Sequence, residues 1–154
     1  MKVLFISKSL HAVSGAGVGS RMHLNVLKRL VGEENVYIVD VGVSETACRE
    51  ERYIAYGKYH GTLDRLHRYL EGNTYLFSNK IINDVCQLIK NEKISFVFVD
   101  DSYYGNLVKT IKKKCDAVAV VTFFHDVKAA LFRIWMKTAD RKSTRLNSSH
   151  GYIS

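Results

Sequence analysis

Four short apolar runs, at residues 3–7, 36–41, 94–99 and 117–123, divide the chain into nearly regular intervals. They are rich in Val, Ile and Phe and show little polar alternation, the pattern of strands buried on both faces. The intervening stretches carry helical spacing instead. Residues 20–31 place Met22, Val26, Leu27, Leu30 and Val31 along a helix that Gly32 can terminate. Residues 73–91 repeat the pattern with Leu76, Ile81, Ile82, Val85, Leu88 and Ile89. Residues 103–114 do so with Leu107, Val108 and Ile111, and end on Lys112, Lys113 and Lys114, which suit the negative pole of a helix dipole. A strand–helix alternation of this kind predicts an α/β fold: a Rossmann-like parallel sheet with helices on both faces and right-handed crossovers. Residues 42–72 break the regularity. There Arg49, Arg52, Lys58, Arg65 and Arg68 alternate with Tyr53, Tyr56, Tyr59 and Tyr69, and the expectation is short helices and loop.

At 154 residues the chain has the size of one domain, long enough to bury roughly two-thirds of its unfolded surface. Cys48, Cys86 and Cys115 are odd in number, widely spaced and without metal-ligand spacing, so they are expected to be reduced thiols, and no metal site is expected. The apolar run after Met1 and Lys2 is too short for a signal sequence or a membrane span, which points to a cytoplasmic protein. Residues 140–150 read DRKSTRLNSSH, a string that looks like the translation of a sequencing adapter. Residues 140–154 are therefore set apart as a non-native, disordered tail, and the natural protein is expected to continue beyond Ala139. In that tail Arg141, Lys142 and Arg145 oppose Asp140, so residues 1–139 keep a net charge of +6 out of the formal +8. Such an excess suits an anionic partner. No helix-turn-helix, zinc or RNP pattern is present, and a nucleic-acid partner is not expected.

In a parallel sheet of this kind, ligands sit beyond the carboxyl ends of the strands. The loop after the first run leads into Ser14–Asn25, SGAGVGSRMHLN, with Gly15, Gly17 and Gly19 ahead of the expected helix start near Ser20. Glycines there let backbone N–H groups approach a phosphate or a sugar hydroxyl at the positive end of a helix; otherwise the stretch is a flexible connector. The phosphate-loop pattern fails, because Ser20 and Arg21 stand where its Lys belongs. The dinucleotide fingerprint fails as well, since Gly17 and Gly19 are two apart and the first glycine lies eight residues past Ser7. Asp40 remains a conceivable ribose-binding acid or an ordinary strand-end residue. After the third run stand Asp100 and Asp101, suited to hydroxyl recognition, unless Asp101 or Ser102 caps the next helix. After the fourth run come His125 and Asp126, a potential hydrogen-bonding pair in which the acid fixes the imidazole tautomer.

The ordered set MKVLFIS, SGAGVGSRMHLNVLKRL, FVFVDDSYYGNLVKTIKKK and VAVVTFFHDV resembles the N-terminal domain of GT-B-fold glycosyltransferases, most like the family 4 type, across nearly all of residues 1–139. The resemblance implies an acceptor-binding domain whose partner domain, absent from this sequence along with its paired glutamates, binds the nucleotide sugar. It implies that Gly15, Gly17 and Gly19 lie near the donor phosphates, with Arg21 a weaker phosphate or acceptor contact. His125 would face the transferred sugar, and Asp101, together with Asp126, would serve the acceptor. The partners implied are a nucleotide sugar, as co-substrate and not as resident cofactor, and a glycan or lipid-linked acceptor. The basic, tyrosine-rich residues 49–69 are the candidate for acceptor contact or for peripheral docking on an anionic membrane. Two other classes compete: a nucleotide- or dinucleotide-binding oxidoreductase domain using Asp40, and a basic interaction module supported by charge alone.

Overall fold

The computed structural model describes residues 1–8, 10–41, 48–56, 63, 66, 70, 77–101 and 104–123. Within them the chain runs β1 (Val3–Ser7), α1 (Gly15–Val31), a 3-10 turn (Glu33–Asn35), β2 (Val36–Val41), β3 (Cys48–Arg49), β4 (Tyr53–Tyr56), α2 (Asn79–Asn91), β5 (Phe96–Val99), α3 (Gly105–Lys114) and β6 (Ala119–Thr122). The sheet order is β3-β4-β2-β1-β5-β6. Five strands are parallel and β3 pairs antiparallel with β4 at one edge. The protein is thus an α/β, Rossmann-like fold, as the alternation of apolar runs predicts.

β1 is central and has no exposed residue, which accounts for its unbroken apolar sequence. Side chains alternate across it. Leu4 and Ile6 join the larger core with Val39, Val41, Val97 and Val99, closed by Ile82, Val85 and Ile89 of α2 and Leu107 and Ile111 of α3. Phe5 faces the other way into a smaller core with Val36 and Leu24, flanked by Leu27, Val31 and Phe98. One sheet face therefore lies under α2 and α3, and the other under α1 alone among the described residues. The outcome is visible at β6, where Val121 and the following Phe123 stay exposed.

Local chemistry sets the ends of the helices. The Ser78 hydroxyl accepts the Ile81 N–H at 3.3 Å and caps α2. Gly32 ends α1 at φ +88°, a conformation that favours glycine. Two expectations are corrected. Residues 48–56 are not helix and loop but the β3–β4 hairpin, whose turn is closed by the Glu50 N–H donating to the Tyr53 carbonyl at 2.8 Å. In β4 Ile54 and Ala55 are buried while Tyr53 and Tyr56 are half-buried, as an edge hairpin allows. Helix α1 also begins at Gly15 and not near Ser20, so all three glycines lie in its opening turns.

Candidate functional site

Register brings the chemically interesting residues to one level. Ser7 at the end of β1 pairs with Asp40 at the end of β2. On the other side the Asp100 N–H donates to the Ile6 carbonyl at 2.8 Å, and the Phe123 N–H to the Val99 carbonyl at 2.8 Å. Ser7, Asp40, Asp100 and Phe123 therefore stand along one carboxyl edge. β1 lies between strands reached by connections running in opposite directions, the topological switch point at which open α/β sheets hold ligands.

Asp100 is the hub of this edge. Its carboxylate has no exposure. Oδ2 accepts a hydrogen bond from the Ser20 hydroxyl and another from the Ser7 hydroxyl, the latter at 3.4 Å. Oδ1 lies 2.9 Å from Nδ1 of His23. Ser20 and His23 are three residues apart on α1 and so share the helical face turned to the sheet. The His23 ring packs 4.3 Å from Phe123 and 5.6 Å from Phe98, centroid to centroid, and its side chain keeps 28% of its surface in contact with solvent. A carboxylate at Nδ1 selects the Nδ1–H tautomer of the neutral ring, which leaves the basic lone pair on Nε2. Both hydroxyls bond to the aspartate and so help to hold its carboxylate in place.

Beside the hub, Lys8 Nζ contacts Asp101 Oδ2 at 2.7 Å, with Asp101 almost wholly buried. Asp101 is thus ion-paired at the carboxyl edge. Helix α3 starts at Gly105, with Tyr104 at the position before it and no cap bond from the Tyr104 side chain.

Asp40 anchors the other flank. It has no exposure, and Oδ2 lies 3.2 Å from His11 Nε2 and accepts from the Tyr53 hydroxyl at 3.2 Å. Its other oxygen, Oδ1, is buried and has no hydrogen-bond partner among the described residues. Burial raises the carboxyl pKa, against the opposing pull of the His11 charge, the Tyr53 hydroxyl and the Val41 N–H.

Of the residues singled out in the sequence, Gly15, Gly17 and Gly19 lie at the start of α1, where the first N–H groups of a helix lack intrahelical acceptors. A Cβ at Gly15 would meet nothing within 4 Å, so no steric need for glycine exists there. Gly17 is buried. The Arg21 guanidinium donates to the carbonyls of Leu10 and Ala12 at 2.9 and 3.0 Å, which ties the preceding loop to α1. His125 and Asp126 lie outside the described residues, as do Ser102, the tail at 140–154 and much of 49–69. Sequence reasoning missed Ser7, Lys8, His11, Ser20 and His23. The only local signal was the Ser20–His23 spacing, which means little until Asp100, 77 residues past His23, is placed against it.

Among the described residues no His, Cys, Asp and Glu cluster could hold a metal ion, and no helix is long and apolar enough to cross a membrane. No protein family, curated protein or solved structure matches the chain.

Proposed function

We propose that residues 1–139 are the acceptor-binding half of a two-domain glycosyltransferase, one that moves a hexosyl group from a nucleotide sugar to a glycan or lipid-linked acceptor. The carrying observation is the switch-point edge, where Ser7, Ser20 and His23 converge on Asp100 and the Lys8–Asp101 ion pair stands next to them in the chain, beside the glycine-bearing start of α1. Buried, mutually oriented carboxylate, hydroxyl and imidazole groups are the chemistry that recognises sugar hydroxyls. A helix N-terminus that carries glycines suits the donor's diphosphate. In this proposal Gly15, Gly17 and Gly19 approach those phosphates, with Arg21 close by, while Asp101 and Asp126 serve the acceptor and His125 faces the transferred sugar. The donor binds mainly to a second domain outside this chain. The protein works in the cytoplasm, and residues 49–69 supply its contact with an anionic membrane. That last element is checked by vesicle sedimentation: equal binding to anionic and neutral lipid removes it.

Stabilising a leaving diphosphate needs groups from both halves, so this chain alone should turn over no nucleotide sugar. The chain extended by its natural downstream coding sequence should release nucleoside diphosphate from at least one member of a nucleotide-sugar panel. Turnover by residues 1–139 alone, or none by the folded extended protein with any donor, would remove the proposal. The dinucleotide alternative is tested by titrating the chain with NAD.

A further inference from the structure

Helices α2 and α3 leave a groove of about 400 Å³ between them, and no residue of the carboxyl-edge set lines it. Two rows of polar side chains form its walls. Asn79 and Asn83 stand one turn apart on α2, while Asn106, Thr110, Lys113 and Lys114 succeed one another along one face of α3. The rows meet where the Lys114 ammonium donates to Oδ1 of Asn83 at 2.8 Å. That bond orients the Asn83 amide, whose NH2 group keeps both protons for a ligand. Lys113 and the Thr110 hydroxyl make no hydrogen bond or ion pair among the described residues. The lining carries the positive charges of Lys113 and Lys114, and among the described residues no carboxylate faces them.

This lining selects the chemistry of its ligand. A cation is repelled by the two ammonium groups, and an apolar molecule would strip water from donors without replacing its hydrogen bonds. An anionic group answers the lysines through charge-assisted hydrogen bonds. Ring hydroxyls, each both donor and acceptor, answer the carboxamides and Thr110, which offer both as well. Lys113 lies seven residues beyond Asn106, about 10 Å along α3, room for a sugar ring and a charged substituent. We propose that the groove between α2 and α3 binds a saccharide that bears an anionic group, a phosphate or a carboxylate. The anion sits against Lys113 and Lys114, and the ring hydroxyls lie along Asn79, Asn83, Asn106 and Thr110. This site is separate from the carboxyl edge and needs no second domain, so it stands or falls independently of the sugar-transfer reading.

The test titrates the complete chain, labelled with nitrogen-15, with glucose 6-phosphate, glucuronate, glucose and inorganic phosphate. At least one of the two anionic saccharides should shift the side-chain NH2 signals of Asn83 and Asn106, and it should bind about tenfold or more tightly than glucose or inorganic phosphate. The order of the two identifies phosphate or carboxylate as the preferred anion. Lys113→Gln should weaken the tighter one about tenfold and leave the contact with glucose unchanged. Asn83→Ala should weaken both anionic saccharides and glucose. Lys113 and Asn83 are exposed, so both variants should keep the backbone spectrum of the parent chain. Should either fail to fold, the Asn signals and the affinities of the unsubstituted chain still decide the matter. Inorganic phosphate binding as tightly as glucose 6-phosphate would reduce the groove to a patch of charge and overturn the proposal. Saccharide binding that leaves the Asn83 and Asn106 signals unmoved, or no binding of any probe, overturns it as well.

Discussion

At the scale of single residues, the two buried aspartates at the carboxyl edge illustrate opposite solutions. Asp100 satisfies its carboxylate with Ser7, Ser20 and His23, whereas Asp40 leaves Oδ1 without a partner among the described residues. A carboxyl whose folded pKa lies above its unfolded one binds protons more readily in the native state, so ∂ΔG/∂pH is negative as it ionises. The stability it contributes is present below the unfolded pKa and is lost as pH rises through the raised folded value. Asp40→Asn should therefore remove this fall in stability with rising pH and raise stability at pH 7 by about 1 kcal/mol, as expected on removing an under-satisfied buried charge. Urea titrations at several pH values check this; an unchanged pH slope would show that Asp40 is not its source. Cys86 offers a second check. Burial, reinforced by the neighbouring Cys115, pushes its thiol up to about 11. In the folded protein at pH 8 it should resist a disulfide reagent and react on unfolding. Rapid native labelling of Cys86 would contradict that environment. Neither effect was legible in the sequence, because each depends on partners that lie far away along the chain.

At the scale of elements, α1 shows both what hydrophobic spacing conveys and what it conceals. The spacing located the helix, but the glycines concealed its first turn, since glycine lowers helix propensity even where a helix start tolerates it. The pattern also drew attention to Met22, Val26 and Leu30, which prove exposed, while Leu24 packs against Phe5 and Val36. Leu24→Ala should therefore cost about 2–4 kcal/mol, whereas Met22→Ala should stay within about 0.5 kcal/mol. Chemical denaturation separates the two; equal losses would mean that α1 is rotated relative to its described face. The capped start of α2 is a further case. Ser78→Ala, losing the bond to the Ile81 N–H, should cost about 1 kcal/mol. The β3–β4 hairpin escaped notice for the converse reason: with Arg49, Glu50, Glu51 and Arg52 around its turn, its sequence looks like a solvated surface.

At the scale of the whole molecule, the parallel sheet was legible because strands buried on both faces must be largely apolar, and β1, β2 and β5 are, apart from Ser7 and Asp40 near the carboxyl ends of β1 and β2. The edge chemistry was legible only in part. Asp100 and Asp101 were visible as strand-end acids, but the Ser7–Ser20–His23 set around Asp100 exists only once β1 and β5 pair in register. That register also sets a gradient of protection. β1 bonds to β2 and β5 and is wholly buried, whereas β6 bonds to β5 and, among the described residues, has no second neighbour. An amide in β1 should exchange with solvent only when the sheet opens as a whole, whereas β6 can exchange by local opening at its edge. Native-state hydrogen exchange should therefore rank Leu4–Ile6 slowest and Ala119–Thr122 markedly faster, with the gap closing as urea approaches the unfolding midpoint. Equal protection of the two strands in the absence of urea would mean that β6 is not an edge in solution.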